Sequence, residues 1–278
     1  MKTTYDGAVK TAHTYYNSGD ADNFYYTIWG GEDIHIGLYE YNGEPIADAS
    51  RRTVEQMASR LSKLTDTSKV LDLGSGYGGA ARYLAEKHGC SVTALNLSEV
   101  ENERNREMNT SRGLDDLVEV VDGNYEQIPF EADTFDVIWS QDAILHSSNR
   151  EKVFSEISRV LKSGGELVFT DPMMSDSCSE DMLQPILDRL HLENLGSPGV
   201  YRGFLSKLGF TELAFEEHRE QLVNHYARVL DETATREDEL QAVVSSDYIR
   251  RMKMGLYHWI EGGSNKNLTW GIFHFRKE

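Results

Sequence analysis

The stretch Val70-Leu71-Asp72-Leu73-Gly74-Ser75-Gly76-Tyr77-Gly78-Gly79-Ala80 constrains this chain more than any other: a short apolar strand runs into glycines and then into a helix. So short and apolar a strand is buried on both faces. It must hand the chain over at its carboxyl end, where glycines permit conformations and close approaches that a Cβ blocks. The turn reads as a ligand seat. Gly74, Gly76 and Gly79 have the spacing of a dinucleotide fingerprint, but that spacing alone describes a nicotinamide site and a tight structural turn equally well. Asp72 narrows the choice. A carboxylate inside a buried strand needs a partner, so it either orients the glycine loop or holds a cation-bearing ligand through water.

From residue 69 onward the pattern alternates strand and helix, which predicts a parallel sheet covered on both faces. Strands are expected at 70–73, 91–95, 117–121, 135–139 and 166–170, with helices at 80–87, 99–111 and 152–161 between them. Their carboxyl ends carry Asp72 and Gly74, Asn96, Asp122, Gln141 and Asp171, which is where an open α/β sheet binds its ligand. Residues 173–200 look like an insertion, 201–208 a short helix, 211–217 a strand, 221–262 a polar, mostly helical excursion, and 267–275 a strand that closes the sheet. The fold class is therefore α/β, a mostly parallel seven-stranded Rossmann-like sheet. We expect a helical lid over 1–66, a ligand-binding core over 67–172, and the rest of the sheet with an inserted cap over 173–278. In the lid, Tyr15-Tyr16, Tyr25-Tyr26 and Trp29 surround the glycine-broken segment 30–37, too polar for a core strand. A helix is expected at 48–64, with Val54, Met57, Ala58 and Leu61 on one face.

Charge excludes some partners. With 46 acids against 28 bases, the formal charge is −18, spread over the whole length, and such a surface repels nucleic acid and anionic membranes. It either favours cationic ligands or keeps the protein solvated in a salt-rich cytoplasm. No apolar run approaches the ~18 residues that span a bilayer, and the first residues lack a signal-like segment, so a cytoplasmic protein is expected. Cys90 and Cys178 have no metal-ligand or disulfide-framework spacing. No metal is expected, and assembly is expected to stop at a monomer or homodimer.

The strand-Asp-x-Gly-x-Gly arrangement resembles the first motif of class I S-adenosylmethionine-dependent methyltransferases. On that reading Asp72, Gly74, Gly76 and Gln141 contact the cofactor, Asn96 and Leu97 meet its ribose, and Asp122, Gly123 and Asn124 meet its adenine. Aromatic faces attract cations, so Tyr16, Tyr25 and Trp29 can face the sulfonium. His146 follows Asp142 by four residues; if the turn is helical the acid can orient the imidazole, a candidate proton acceptor from an ammonium nucleophile.

Beyond the glycine loop, Asn96-Leu97-Ser98, Asn102-Glu103-Arg104-Asn105, the run from Trp139 to His146, and Val160-Leu161-Lys162-Ser163-Gly164-Gly165 look like the sarcosine/dimethylglycine N-methyltransferases of glycine betaine synthesis. So do residues 24–39 and 222–230. The resemblance covers nearly the whole chain. It implies stepwise methylation of sarcosine to dimethylglycine and then to betaine, an osmolyte of salt-stressed microorganisms. The segment Asp142-Ala143-Ile144-Leu145-His146 is also similar to phosphoethanolamine methyltransferases, whose matching histidine pairs with an amino-terminal tyrosine. Tyr16 is the nearest match, and Gln141 stands where those enzymes carry arginine. A glycine derivative also brings a carboxylate, for which Arg202 is the expected anchor. Gln141, His146, Tyr201, His225 and Tyr226 complete the candidate substrate contacts. Three rivals stay open: a phosphobase methyltransferase, whose phosphate calls for several bases around the pocket; a nicotinamide oxidoreductase, disfavoured by Asn96 in place of an acid; and a non-catalytic cofactor-binding protein.

Overall fold

Val70, Leu71 and Leu73 are each 0% exposed, and fully burying such side chains is worth ~1.5–3 kcal/mol apiece. That burial sets β1 (Lys69–Leu73) inside a sheet completed by β2 (Ser91–Asn96), β3 (Val118–Asp122), β4 (Phe135–Gln141), β5 (Leu161–Met174), β6 (Phe210–Glu217) and β7 (Leu268–Lys277). The computed structural model describes residues 7–62, 64–178, 180–190 and 192–278. The strand order is β3-β2-β1-β4-β5-β7-β6. The first five strands are parallel, with Asp72 in register with Ala94 on one side and Trp139 on the other. β7 runs antiparallel to both β5 and β6.

The expected seven-stranded, mostly parallel sheet is therefore present. The final strand, expected to close it, does so by inserting between β5 and β6, with its first eight residues buried. β6, patterned Thr211-Glu212 and Glu216-Glu217 at its ends, takes the exposed edge, where charge discourages pairing with another chain.

Alternate residues of each strand face opposite layers. Leu71, Leu73, Ile138, Phe169 and Phe273 pack under α6 (Arg150–Val160) and α8 (Pro198–Lys207), whereas Val70, Val92, Trp139 and Ile272 pack under α3 (Ile46–Arg60) and α4 (Gly79–His88). α3 starts two residues earlier than expected, right after Pro45, and ends at Arg60. α5 (Glu99–Arg112) follows β2 and starts on Ser98, whose hydroxyl accepts from the Glu101 N–H.

A roof covers the carboxyl ends of the strands. It comprises α1 (Gly7–Tyr16), α2 (Gly19–Trp29), α9 (Arg219–Thr235), the short α10 (Glu237–Leu240) and α11 (Ser246–Ser264). Phe24, Ile28 and Trp29 of α2 bury themselves against Val229, Tyr248 and Leu256. α2 begins on the Ser18 hydroxyl and ends at Gly30 in the left-handed region (φ 87), which turns the chain down into segment 30–37. The inserted region contributes a 3-10 turn (Glu180–Leu183) and α7 (Gln184–Leu190), whose Ile186 and Leu187 pack with Trp259 and Trp270. No helix among the described residues is long and apolar enough to cross a membrane.

Candidate active site

The glycine loop is occupied from above by the chain's own segment 30–37. A Cβ added at Gly79 would strike the Asp33 carboxylate and come within 2.8 Å of the Glu32 carbonyl; one at Gly76 would meet Ile34 at 3.0 Å. Glycine at these positions admits the lid. Beside the loop lies a small cavity of about 30 Å³ bordered by Asp33, His35, Asp72, Gly74, Ser75 and Gln141. Among its walls, Asp72 Oδ2, Ser75 Oγ and Gln141 Nε2 are buried without a hydrogen-bond partner, while Asp33 Oδ1 and His35 Nε2 face each other at 3.7 Å. Such atoms are costly unless something pairs with them. Two carboxylates with a hydroxyl, an amide and an imidazole suit an ammonium beside a carboxylate, which is the amino-acid end of S-adenosylmethionine. Burial pushes Asp72 up to about 7, helped by Asp33 and opposed by His35 and Arg82. For Asp33 burial acts in the same upward sense, but the hydrogen bond and charge of His35, with Arg51 and Arg82, prevail and hold it below the usual range.

A second cavity, of about 480 Å³, opens next to the first and shares Ile34 and His35 with it. Tyr16, Tyr25, Trp29, Tyr226 and Trp259 give it aromatic walls, with Tyr25 and Trp29 4.9 Å apart between ring centroids and Tyr226 stacked on Trp259 at 5.2 Å. Tyr16 and His146 meet in this wall, hydroxyl to Nε2 at 2.9 Å. Burial raises the Tyr16 hydroxyl well above its ordinary value, so it keeps its proton. The expectation that Asp142 orients His146 is corrected: β4 ends before a 3-10 turn (Ile144–His146), and Asp142 turns the other way. Its carboxylate accepts from the Ile36 N–H at 2.7 Å, Trp270 Nε1 at 2.7 Å and Thr170 Oγ1 at 2.8 Å, which ties segment 30–37 to β5 and β7.

Residues 71–169 match the methyltransferase domain family. Over all 278 residues the chain is 60% identical to a sarcosine/dimethylglycine N-methyltransferase of Halorhodospira halochloris, with 100% of both chains covered. This chain belongs to the sarcosine/dimethylglycine N-methyltransferase family. It is 53% identical to another such enzyme, from Aphanothece halophytica, over 99% of each chain. A methyltransferase crystal structure from Galdieria sulphuraria superposes with a TM-score of 0.89 at 46% identity, covering 95% of this chain and 99% of that one. The protein is thus an S-adenosylmethionine-dependent methyltransferase, and the partnerless polar atoms around Asp72 fit that cofactor.

The other expected site residues of this sarcosine/dimethylglycine N-methyltransferase family member divide into three groups. Gln141 borders the small cavity, with Oε1 accepting from Trp139 Nε1 at 2.9 Å. His225 and Tyr226 line the large cavity with Tyr25 and Trp29. Asn96 and Asp122 sit side by side in register at the ends of β2 and β3, next to Leu97, Gly123 and Asn124, but border neither cavity. Asn96 donates to Glu101 at 2.8 Å, and Asp122 accepts from Asn102 at 2.7 Å and Arg106 at 3.1 Å.

Two expectations fail outright. Arg202 lies at the surface, paired with Glu212 at 2.6 Å and over the Phe215 ring at 4.8 Å, so it anchors no substrate in this cavity. Tyr201 is fully buried between Phe154 and Phe169 and donates to Asp171, a role in the core beneath β5. Both follow from the α8 face: the helix packs on the sheet, not on its carboxyl edge. The cap also differs from expectation, because Pro172 is the one described residue from 172–200 in the cavity wall, while α9 and α11 supply its far side. Asp33, His35 and Ser75 were not anticipated. Asp33 and His35 sit at alternate positions of a glycine-bounded segment, a spacing that sends both side chains to one side of an extended chain.

Proposed function

We propose that this chain transfers the methyl group of S-adenosylmethionine to sarcosine, giving dimethylglycine, and to dimethylglycine, giving glycine betaine. The observation that carries the reading is the Tyr16–His146 pair in the wall of an aromatic cavity adjoining the Asp72 cluster. The cofactor supplies an electrophilic methyl on a sulfonium. The protein must offer the acceptor as a free amine, and a proton leaving its nitrogen can pass to His146 directly or through the Tyr16 hydroxyl. Tyr25, Trp29 and Tyr226 provide cation-attracting faces and exclude water. Asp72, Gly74, Gly76 and Gln141 hold the amino-acid end of the cofactor in this reading, Asn96 and Leu97 its ribose, and Asp122, Gly123 and Asn124 its adenine. Most of the rate then comes from holding the nitrogen in line with the carbon–sulfur bond, where placement alone can be worth ~7–11 kcal/mol.

A phosphobase substrate fits less well: Lys10 is the single Lys or Arg among the described residues of the cavity wall. We assign residues 1–66 to the lid, 67–172 to the cofactor core and 173–278 to the rest of the sheet with its buttress, in a cytoplasmic monomer or homodimer making an osmolyte. Incubation with the cofactor and each amine separately tests the reading by NMR. Dimethylglycine from sarcosine and betaine from dimethylglycine, each matched by S-adenosylhomocysteine, are expected; cofactor binding without any methylated amine contradicts it.

A further inference from the structure

With Arg202 at the surface, the acceptor's carboxylate needs another partner inside the aromatic cavity. Two N–H groups of its wall residues stand ready. His225 is 1% exposed and lies in the cavity wall; its Nδ1 faces the Gly37 N–H at 3.3 Å and the Tyr39 hydroxyl at 3.0 Å. A backbone N–H can only donate, so Nδ1 is the acceptor and the neutral ring carries its proton on Nε2. Burial, reinforced by His35, pushes His225 down to about 3, so this tautomer persists across the working pH range. Nε2 has no partner among the described residues. Trp29 is 4% exposed, its ring centroid lies 5.5 Å from that of His225, and its Nε1–H is likewise buried without a partner.

We infer that His225 Nε2–H and Trp29 Nε1–H together receive the carboxylate of the methyl acceptor, so that this enzyme selects amino acids over plain amines through neutral donors and not through a cationic side chain. The inference rests on the proposed acceptors. Neutral donors have a physical advantage here. A buried cation next to the sulfonium site would repel the cofactor's charge, whereas an N–H dipole binds the carboxylate without that penalty. Gly37 and Tyr39 act through His225: they fix which nitrogen points inward, and they couple the acceptor subsite to the lid segment.

The test compares dimethylglycine with N,N-dimethylethanolamine, which has the same amine and no carboxylate. We expect the ratio of their kcat/KM values to fall roughly 10- to 100-fold in His225→Leu, the loss of one hydrogen bond to a charged group, and by a similar order in Trp29→Phe. His225→Gln, which keeps an N–H, should restore part of the ratio, and calorimetric binding of S-adenosylhomocysteine reports whether each variant is folded. An unchanged ratio in Trp29→Phe and in folded His225→Leu overturns the inference, and so does a His225→Gln ratio no higher than that of His225→Leu. So does a collapse of the ratio in Lys10→Met with the other variants unaffected, which would identify a cationic anchor. If the wild type methylates neither amine, the proposed function itself fails, and that outcome is distinct.

Discussion

His146 and Tyr16 are 130 positions apart in the chain and 2.9 Å apart in the fold. If the pair takes the amine's proton, His146→Ala should lower kcat by roughly 10²–10³-fold, in the usual range for a lost general base, while the dissociation constant of S-adenosylhomocysteine stays within about threefold. A wild-type kcat in this variant would leave the histidine a structural role. Asp72 makes a second prediction. Its carboxyl is held at about 7 in the free protein, and an ammonium placed against it favours the ionised form. Cofactor binding should therefore release a proton from Asp72, and affinity for S-adenosylhomocysteine should rise from pH 6 to pH 8. Calorimetry in buffers of different ionisation enthalpy measures that proton, and Asp72→Asn should bind more weakly with no such release. The individual residues differed in how legible they were. His146 was readable because it closes a distinctive run after a strand. Arg202 misled because a short helix does not announce which of its faces meets the sheet, and only packing reveals that the guanidinium points to Glu212.

The lid segment after α2 is the element on which the site turns. Glu32 receives Arg51, Arg82 and Arg112, of which Arg82 is fully buried and also donates to Asn105 at 3.0 Å and Asn109 at 3.1 Å. From the other end, Asp142 holds the Ile36 N–H. Between these two fastenings lie Asp33 and His35, which with Glu32 and Ile34 are the lid's contribution to the small cavity. Replacing Glu32 by Gln leaves a buried guanidinium short of its anion, which we expect to cost about 1–3 kcal/mol. Thermal unfolding should move down by a few degrees, and cofactor affinity should drop roughly tenfold as the lid loosens. Unchanged cofactor affinity would show that the lid is not part of that site. The parallel strands were legible because burial on both faces writes them as apolar runs between turn residues. The position of β7 was not: whether a last strand adds at an edge or slips between two others is decided by long-range pairing, and its sequence only says that it is buried. The roof was half legible, since its aromatics were evident but their partners on α9 and α11 lie some 200 residues away.

At the scale of the whole molecule, the charge of −18 sets the response to salt. Like charges spread over the surface oppose folding, and raising the ionic strength from about 0.1 M to 1 M shortens the Debye length from roughly 10 Å to 3 Å. Most ion pairs among the described residues have at least one well-exposed partner, and such pairs contribute little. Relief of repulsion should therefore win, and Tm should rise with sodium chloride between 0.05 and 1 M; a fall would show that the ion-pair network around Glu32 dominates instead. The molecule as a whole brings two cavities together, one at the glycine loop and one among aromatics, which the proposed function assigns to the amino-acid end of the cofactor and to a small amine. A crystal structure with S-adenosylhomocysteine and dimethylglycine bound together tests that arrangement most directly. The cofactor's ammonium should lie against Asp72 and Asp33, and the acceptor's nitrogen should sit between the sulfur and the Tyr16–His146 pair. An acceptor bound outside the aromatic cavity, or a cofactor whose amino-acid end avoids Asp72, would contradict it.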